Sequence, residues 1–197
     1  ATHAGELNWI VDGIVPEASI IIVAGPAKRA RKTLCMSWLG LCVARGEPFL
    51  GRAVGRRDVV YVYFEDGIAR AGRRLTQMGV AGPGTPIVHP RQDPPFYTVY
   101  GRQGWNDSGL LGRLELAPHP LLVVIDPLVY LESMLGVKDE NTALDIERLL
   151  GPFRELCQRR RHTVIFVHHF AKNSPQKRGS SALDGSTDGW WDMHPGT

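Results

Sequence analysis

The stretch "SIIIVAGPAKRARKTLCMSWLGLCVAR", residues 19–45, decides the fold. It opens on an unbroken β-branched run and passes through a short loop of small and cationic residues. It closes on a segment that is apolar nearly all round. An unbroken apolar run of this length suits a strand buried on both faces, as in a parallel sheet. Residues 33–45 read as a helix that is itself buried.

The loop between strand and helix approaches the phosphate-cradling pattern G-x-x-x-x-G-K-[ST]. Six residues, 26–31, separate Gly25 from Lys32 where the pattern has five, and Arg31 stands where the second glycine is expected. Two alignments are open. The first keeps Lys32 and Thr33 in role, adds one residue, and puts Arg31 in place of glycine. The second keeps the length, with Ala30 for glycine, Arg31 for lysine and Lys32 for the hydroxyl residue. The first is preferred, because it keeps the helix in phase with "ARGEPFLG" downstream. A non-glycine where the backbone must take unusual angles costs roughly 1–3 kcal/mol. Against that cost, Lys28, Arg29, Arg31 and Lys32 make the loop strongly cationic. The candidate nucleotide-contacting residues are Gly25, Pro26, Ala27, Lys28, Arg29, Ala30, Arg31, Lys32 and Thr33.

Outward from this unit, three further runs repeat the strand signal: "VVYVYF" at 59–64, "LLVVI" at 121–125 and "TVIFV" at 163–167. Helical patterns lie between them. Residues 67–79 set Ile68, Leu75 and Met78 against Arg70, Arg73 and Arg74, an amphipathic surface helix. Residues 140–161 carry Leu144, Ile146, Leu149, Leu150, Phe153, Leu156 and Cys157 near helical spacing, and Pro152 is expected to kink or break that helix. Residues 81–120 read as an elaborated connection, with one short strand around "FYTVYG" and a helix capped near Asn106 to Ser108. Alternating strands and helices predict an α/β fold with a mostly parallel sheet and right-handed crossovers.

Ligands of open parallel sheets bind beyond the carboxyl ends of the strands. The first run is followed by the Gly25–Thr33 loop, the second by Glu65 and Asp66, the third by Asp126, the fourth by His168 and His169. Phosphate needs N–H donors at a helix N-terminus, a lysine, and a hydroxyl for Mg²⁺. Lys32 and Thr33 supply the last two, and Asp126 suits the shell of a hydrated Mg²⁺. Glu65 is the candidate base that orients and activates water. His169 is the candidate sensor of the terminal phosphate, with His168 a structural partner of the strand edge. Asp66 reads as an N-cap, with a second site carboxylate as the other reading.

The stretches "NWIVDGIVPEASIIIVAGP", "KTLCMSWLGLCVARGEPFLG", "VVYVYFEDG", "LLVVIDPL", "VIFVHHFAK" and "RGSSALDGSTD" resemble the RecA-type ATPase core. They are most similar to the RepA-like and DnaB-like hexameric helicases, although the loop before Lys32 departs from that pattern. The resemblance spans residues 8–188 and implies a three-layer RecA-like core. It implies an ATP and Mg²⁺ site between subunits of a homo-oligomeric ring, a hexamer in those helicases. Lys32, Thr33, Glu65 and Asp126 take the roles above, and Arg178 matches an arginine that reaches a neighbour's terminal phosphate. Residues 170–186 would form the loop that touches single-stranded DNA, and Lys172, Lys177 and Arg178 fit an ordinary solvated loop equally well. The implied activity is ATP hydrolysis coupled to nucleic-acid translocation or remodelling. The alternative is a nucleotide- or single-stranded-DNA-binding module with impaired hydrolysis.

Composition bounds the remaining choices. In a chain of 197 residues, 43% hydrophobic and 22% charged residues describe one globular domain over 1–197. RecA-type sheets continue past the point where this chain stops, so the domain is expected to be C-terminally incomplete, with Trp190 and Trp191 as core of a last strand. A net charge of +3 is weak evidence for a polyanionic partner. Cys35, Cys42 and Cys157 lack metal-ligand spacing and read as buried, reduced thiols of a cytoplasmic protein. His89 and His119 sit beside prolines and read as exposed. Arg159 to Arg161 end a helix, where cations complement the dipole. No apolar stretch reaches the roughly 18–20 residues of a membrane helix.

Overall fold

The computed structural model describes residues 8–26, 30–80, 94–137, 142–169, 183 and 185–194. Six strands form one sheet: β3 (Ile20–Gly25), β4 (Asp58–Tyr63), β5 (Phe96–Tyr100), β6 (Leu121–Asp126), β7 (Thr163–His169) and β8 (Gly189–Asp192). Their order is β5-β4-β6-β7-β3-β8, and every neighbouring pair is parallel. A small antiparallel hairpin, β1 (Trp9–Val11) with β2 (Val15–Pro16), precedes it.

The strand side chains alternate between two cores, which makes the fold a three-layer, RecA-like α/β core. Ile21, Val23, Val59, Tyr61, Tyr63, Leu122 and Val124 face α1 (Lys32–Arg45) and α2 (Ile68–Gln77). Ile20, Ile22, Val60, Val62, Val123 and Ile125 face the other way. There they meet α3 (Gly101–Ser108), α4 (Leu110–Glu115), α5 (Leu128–Met134) and α6 (Ala143–Arg160). Burial on both faces is the reason the runs read as continuous rather than alternating. No described helix is long and apolar enough to cross a membrane.

Several expectations are corrected in detail. Pro152 does not break α6, which continues through it from Ala143 to Arg160. Pro152 and Arg148 both lie on the exposed face, so the carbonyl that loses its partner is on the water side. The helix expected to follow a cap near Asn106 to Ser108 is α4, capped at Gly109, and a further helix, α3, precedes it from Gly101 to Ser108. Ile68 is 59% exposed, and Ala71, Gly72 and Leu75 are the buried face of α2. α1 is not buried all round: Leu34 and Trp38, one turn apart, are 40% and 42% exposed. Trp38 packs on Phe49 at 4.8 Å between ring centroids. Trp190 and Trp191 do lie on a last strand, half-buried, one against each core.

Candidate nucleotide site at the strand ends

The C-terminal ends of β3, β4, β6 and β7 meet around the first turn of α1. Gly25 lies beside His169 in register, and Tyr63 beside Asp126. A Cβ on Gly25 would stand 2.4 Å from the carbonyl oxygen of Met193. Close approach of the chain after β8 therefore demands glycine there.

Arg31 holds φ 49° and ψ 31°, a left-handed conformation, immediately before the first helical residue. This is the backbone state in which glycine is at ease and an L-residue is strained. The geometry matches the first alignment. Arg31 is exposed where glycine was expected, while Lys32 opens the helix and is only 5% exposed. Lys32 Nζ donates to the carbonyls of Gly25 at 2.7 Å and Pro26 at 3.1 Å. Burial pulls the Lys32 pKa down, and the carboxylates of Asp126 and Glu65 pull it back up. α1 has no side-chain cap and no acidic residue in its own first turn, and the carboxylate nearest its positive end is Asp126 from β6. Ala27, Lys28 and Arg29 lie outside the described residues, as do Lys172, Lys177, Arg178 and His89.

Asp126 is 5% exposed and accepts hydrogen bonds from Thr33 and from Tyr61, the latter at 2.8 Å. Burial pushes its pKa up to about 6; the two hydrogen bonds oppose the shift, while Glu65 and Asp66 add to it. Tyr61 is fully buried and its pKa is raised well above the usual range, chiefly by burial, so it acts as a donor. Its neighbour on the same face, Tyr63, stacks on it at 4.0 Å and shares a 3.0 Å hydrogen bond with Ser37. Ser37 in turn donates to the Thr33 carbonyl at 2.6 Å. A crevice of about 20 Å³, room for roughly one water, lies among Thr33, Tyr63, Glu65, Asp66 and Asp126.

Glu65 sits at the rim with its carboxylate 3.7 Å from His169 Nε2. His168 is buried, edge-on to Trp190 at 6.5 Å. Asp66 is not the N-cap of α2, which is Gly67 without a side-chain cap. It instead accepts ion pairs from Arg74 at 2.6 Å and Arg70 at 3.4 Å. Arg74, 20% exposed, therefore anchors the β4–α2 turn, while Arg70 and Arg73 stay on the solvated face. Arg159 pairs with Glu115 and Glu155, Arg160 donates to the Ala117 carbonyl, and Arg161 pairs with Glu17. Those three cations are engaged within the fold. His119 is exposed, and the three cysteines are free thiols, two of them buried.

Sequence reasoning missed Tyr61. The signal was available: in "VVYVYF" two hydroxyl-bearing rings alternate on one face of an otherwise apolar strand, and a buried hydroxyl demands a partner.

The donor set suits a small hydrated dication and not an all-protein metal cage. One buried carboxylate, one hydroxyl and a water-sized crevice leave most of the shell to water and phosphate, as Mg²⁺ prefers. Among the described residues no cluster of three or more His, Cys, Asp or Glu forms a metal site.

A family model described as "AAA domain" matches residues 3–175. No curated protein matches the chain.

Proposed function

The chain belongs to this AAA-domain family, within the P-loop ATPase superfamily, and from that premise we propose that it binds and hydrolyses ATP with Mg²⁺ at the α1 end of the sheet. The observation that carries the reading is the convergence on one carboxylate: Asp126 from β6 is hydrogen-bonded to Thr33 from α1 and Tyr61 from β4. Lys32, Glu65 and His169 complete the group from three more positions on the same edge.

Gly25 to Thr33 contact the phosphates. The ammonium of Lys32 exchanges the carbonyls of Gly25 and Pro26 for phosphate oxygens, a stronger, charge-assisted partner. Thr33 and Asp126 hold Mg²⁺, which when bound neutralises charge on the phosphate oxygens. Glu65, at the solvent rim, orients water and takes its proton. His169 touches Glu65 from the end of β7, so a change at the phosphate end reaches the chain that follows His169. Arg178 acts on a neighbouring subunit's nucleotide. The likeness to ring helicases supports coupling to single-stranded DNA in a homo-oligomeric ring.

A second reading, nucleotide binding with impaired turnover, is favoured by one observation. The residue before Lys32 is an arginine in left-handed conformation, and the lysine is already bonded into its own loop. Mg²⁺-dependent ATP hydrolysis by wild type, Glu65→Gln and Lys32→Ala, with and without single-stranded DNA, separates the two. Turnover in wild type that both variants lose supports the ATPase. A folded wild type that binds nucleotide without turnover supports the module.

A further inference from the structure

We propose that Tyr61 is a positioning residue for the metal-binding carboxylate, holding Asp126 in place when Thr33 is drawn to the cation; this rests on the site assignment above. The argument starts from a cost. Tyr61 lies in the apolar layer between the sheet and α1, level with Val124 on the next strand and 6.1 Å from the Phe96 ring. A phenylalanine would fill that volume without desolvating a hydroxyl, and an unpaired buried hydroxyl costs about 1–3 kcal/mol. The Tyr61 hydroxyl has one proton, and it lies 2.8 Å from Asp126 Oδ2. The Thr33 carbonyl is farther, at 3.5 Å, and the Ser37 hydroxyl also bonds the phenol in the sense that makes the phenol oxygen an acceptor. The proton therefore belongs to the carboxylate.

Asp126 has two side-chain donors, Thr33 and Tyr61. They differ in what they can do next. A hydroxyl that coordinates a cation through its oxygen turns its proton away from that cation, so the Thr33–Asp126 bond must readjust to wherever the metal sits, whereas the Tyr61 bond need not. Tyr61 is held by stacking on Tyr63 at 4.0 Å and by complete burial. It remains the fixed donor to Oδ2 and leaves the other oxygen of Asp126 for the metal and its waters. Partners of this outer kind orient metal-ligating carboxylates in general.

The test is Tyr61→Phe, which removes one oxygen and keeps the ring. Mn²⁺ binding in the presence of ADP is followed by electron paramagnetic resonance, and ADP binding without metal is measured in chelator. The expected result is Mn²⁺ affinity lower by about 10- to 100-fold with metal-free ADP affinity unchanged. In an Asp126→Asn background the same substitution has no further effect on Mn²⁺. Equal Mn²⁺ affinity in wild type and Tyr61→Phe overturns the proposal and leaves the site assignment standing. Parallel losses with and without metal, or a loss that persists in Asp126→Asn, show a role in the fold alone and also overturn it. Failure of wild type to bind ADP or Mn²⁺ removes the site assignment itself.

Discussion

Replacing Arg31 by glycine should stabilise this protein. An L-residue in the left-handed region costs roughly 1–2 kcal/mol relative to the right-handed one, and Arg31 sits there at φ 49° and ψ 31°. Glycine removes that cost but brings back roughly 0.5–1 kcal/mol of unfolded-chain entropy. The net gain is about 0.5–1 kcal/mol, which in a domain of this size raises Tm by roughly 1–4 °C. Arg31 also adds charge beside Lys32, so a gain in Arg31→Gly alone would be ambiguous. Arg31→Ala resolves this, because it removes the guanidinium and keeps the Cβ that creates the strain. Thermal unfolding followed by circular dichroism, without nucleotide, should rank Arg31→Gly above both Arg31→Ala and wild type. An Arg31→Ala variant as stable as Arg31→Gly would refute the strain argument and leave charge repulsion as the cause.

Three further outcomes follow from particular contacts. Asp126→Asn should stabilise the nucleotide-free protein at pH 8 by up to about 3 kcal/mol, since burial raises that carboxyl from 3.8 to about 6. A raised carboxyl pKa costs stability only where the group must ionise, so urea unfolding should show the gain above pH 6 and little of it near pH 4. His162 is buried between two fixed partners: its Nδ1 accepts from the Leu121 N–H at 3.0 Å, and its Nε2 lies 2.8 Å from the Leu114 carbonyl. Burial lowers its pKa from 6.5, so the unfolded chain takes up the proton first. Its contribution is intact above pH 6.5 and is lost as pH falls below it; His162→Gln should flatten that part of the stability profile. Gly25→Ala should lower Tm and disturb β8, because the new Cβ would meet the Met193 carbonyl at 2.4 Å. Loss of β8 packing should appear as a change in Trp190 and Trp191 fluorescence.

Much of the fold was legible because its strands are buried on both faces. "SIIIVA", "VVYVYF", "LLVVI" and "TVIFV" could not belong to a half-exposed sheet, and β3, β4, β6 and β7 cover these runs to within one or two residues at their ends. The polar residue after each run marked the sheet edge at which the candidate site residues meet. The lateral order β5-β4-β6-β7-β3-β8 was not legible, since it depends on which crossovers pass over which strand. The β1–β2 hairpin escaped notice because its strands are three and two residues long. Pro152 misled because a helix rule was applied without knowing that the residue faces water. Asp66 misled for a related reason: a carboxylate before a helix reads as a cap, and only the fold brings Arg74 within 2.6 Å of it. At the loop, the departure from pattern was visible, but the backbone angle that makes Arg31 costly is a property of three dimensions.

The most direct test is equilibrium binding of ATP with Mg²⁺ by titration calorimetry, comparing wild type with Lys32→Ala. The account predicts saturable, one-to-one binding in wild type. Removing the ammonium should weaken it at least roughly tenfold, the loss of one charge-assisted contact of about 1.5–3 kcal/mol. Absence of binding to folded wild type, or equal affinity in the two proteins, would contradict it.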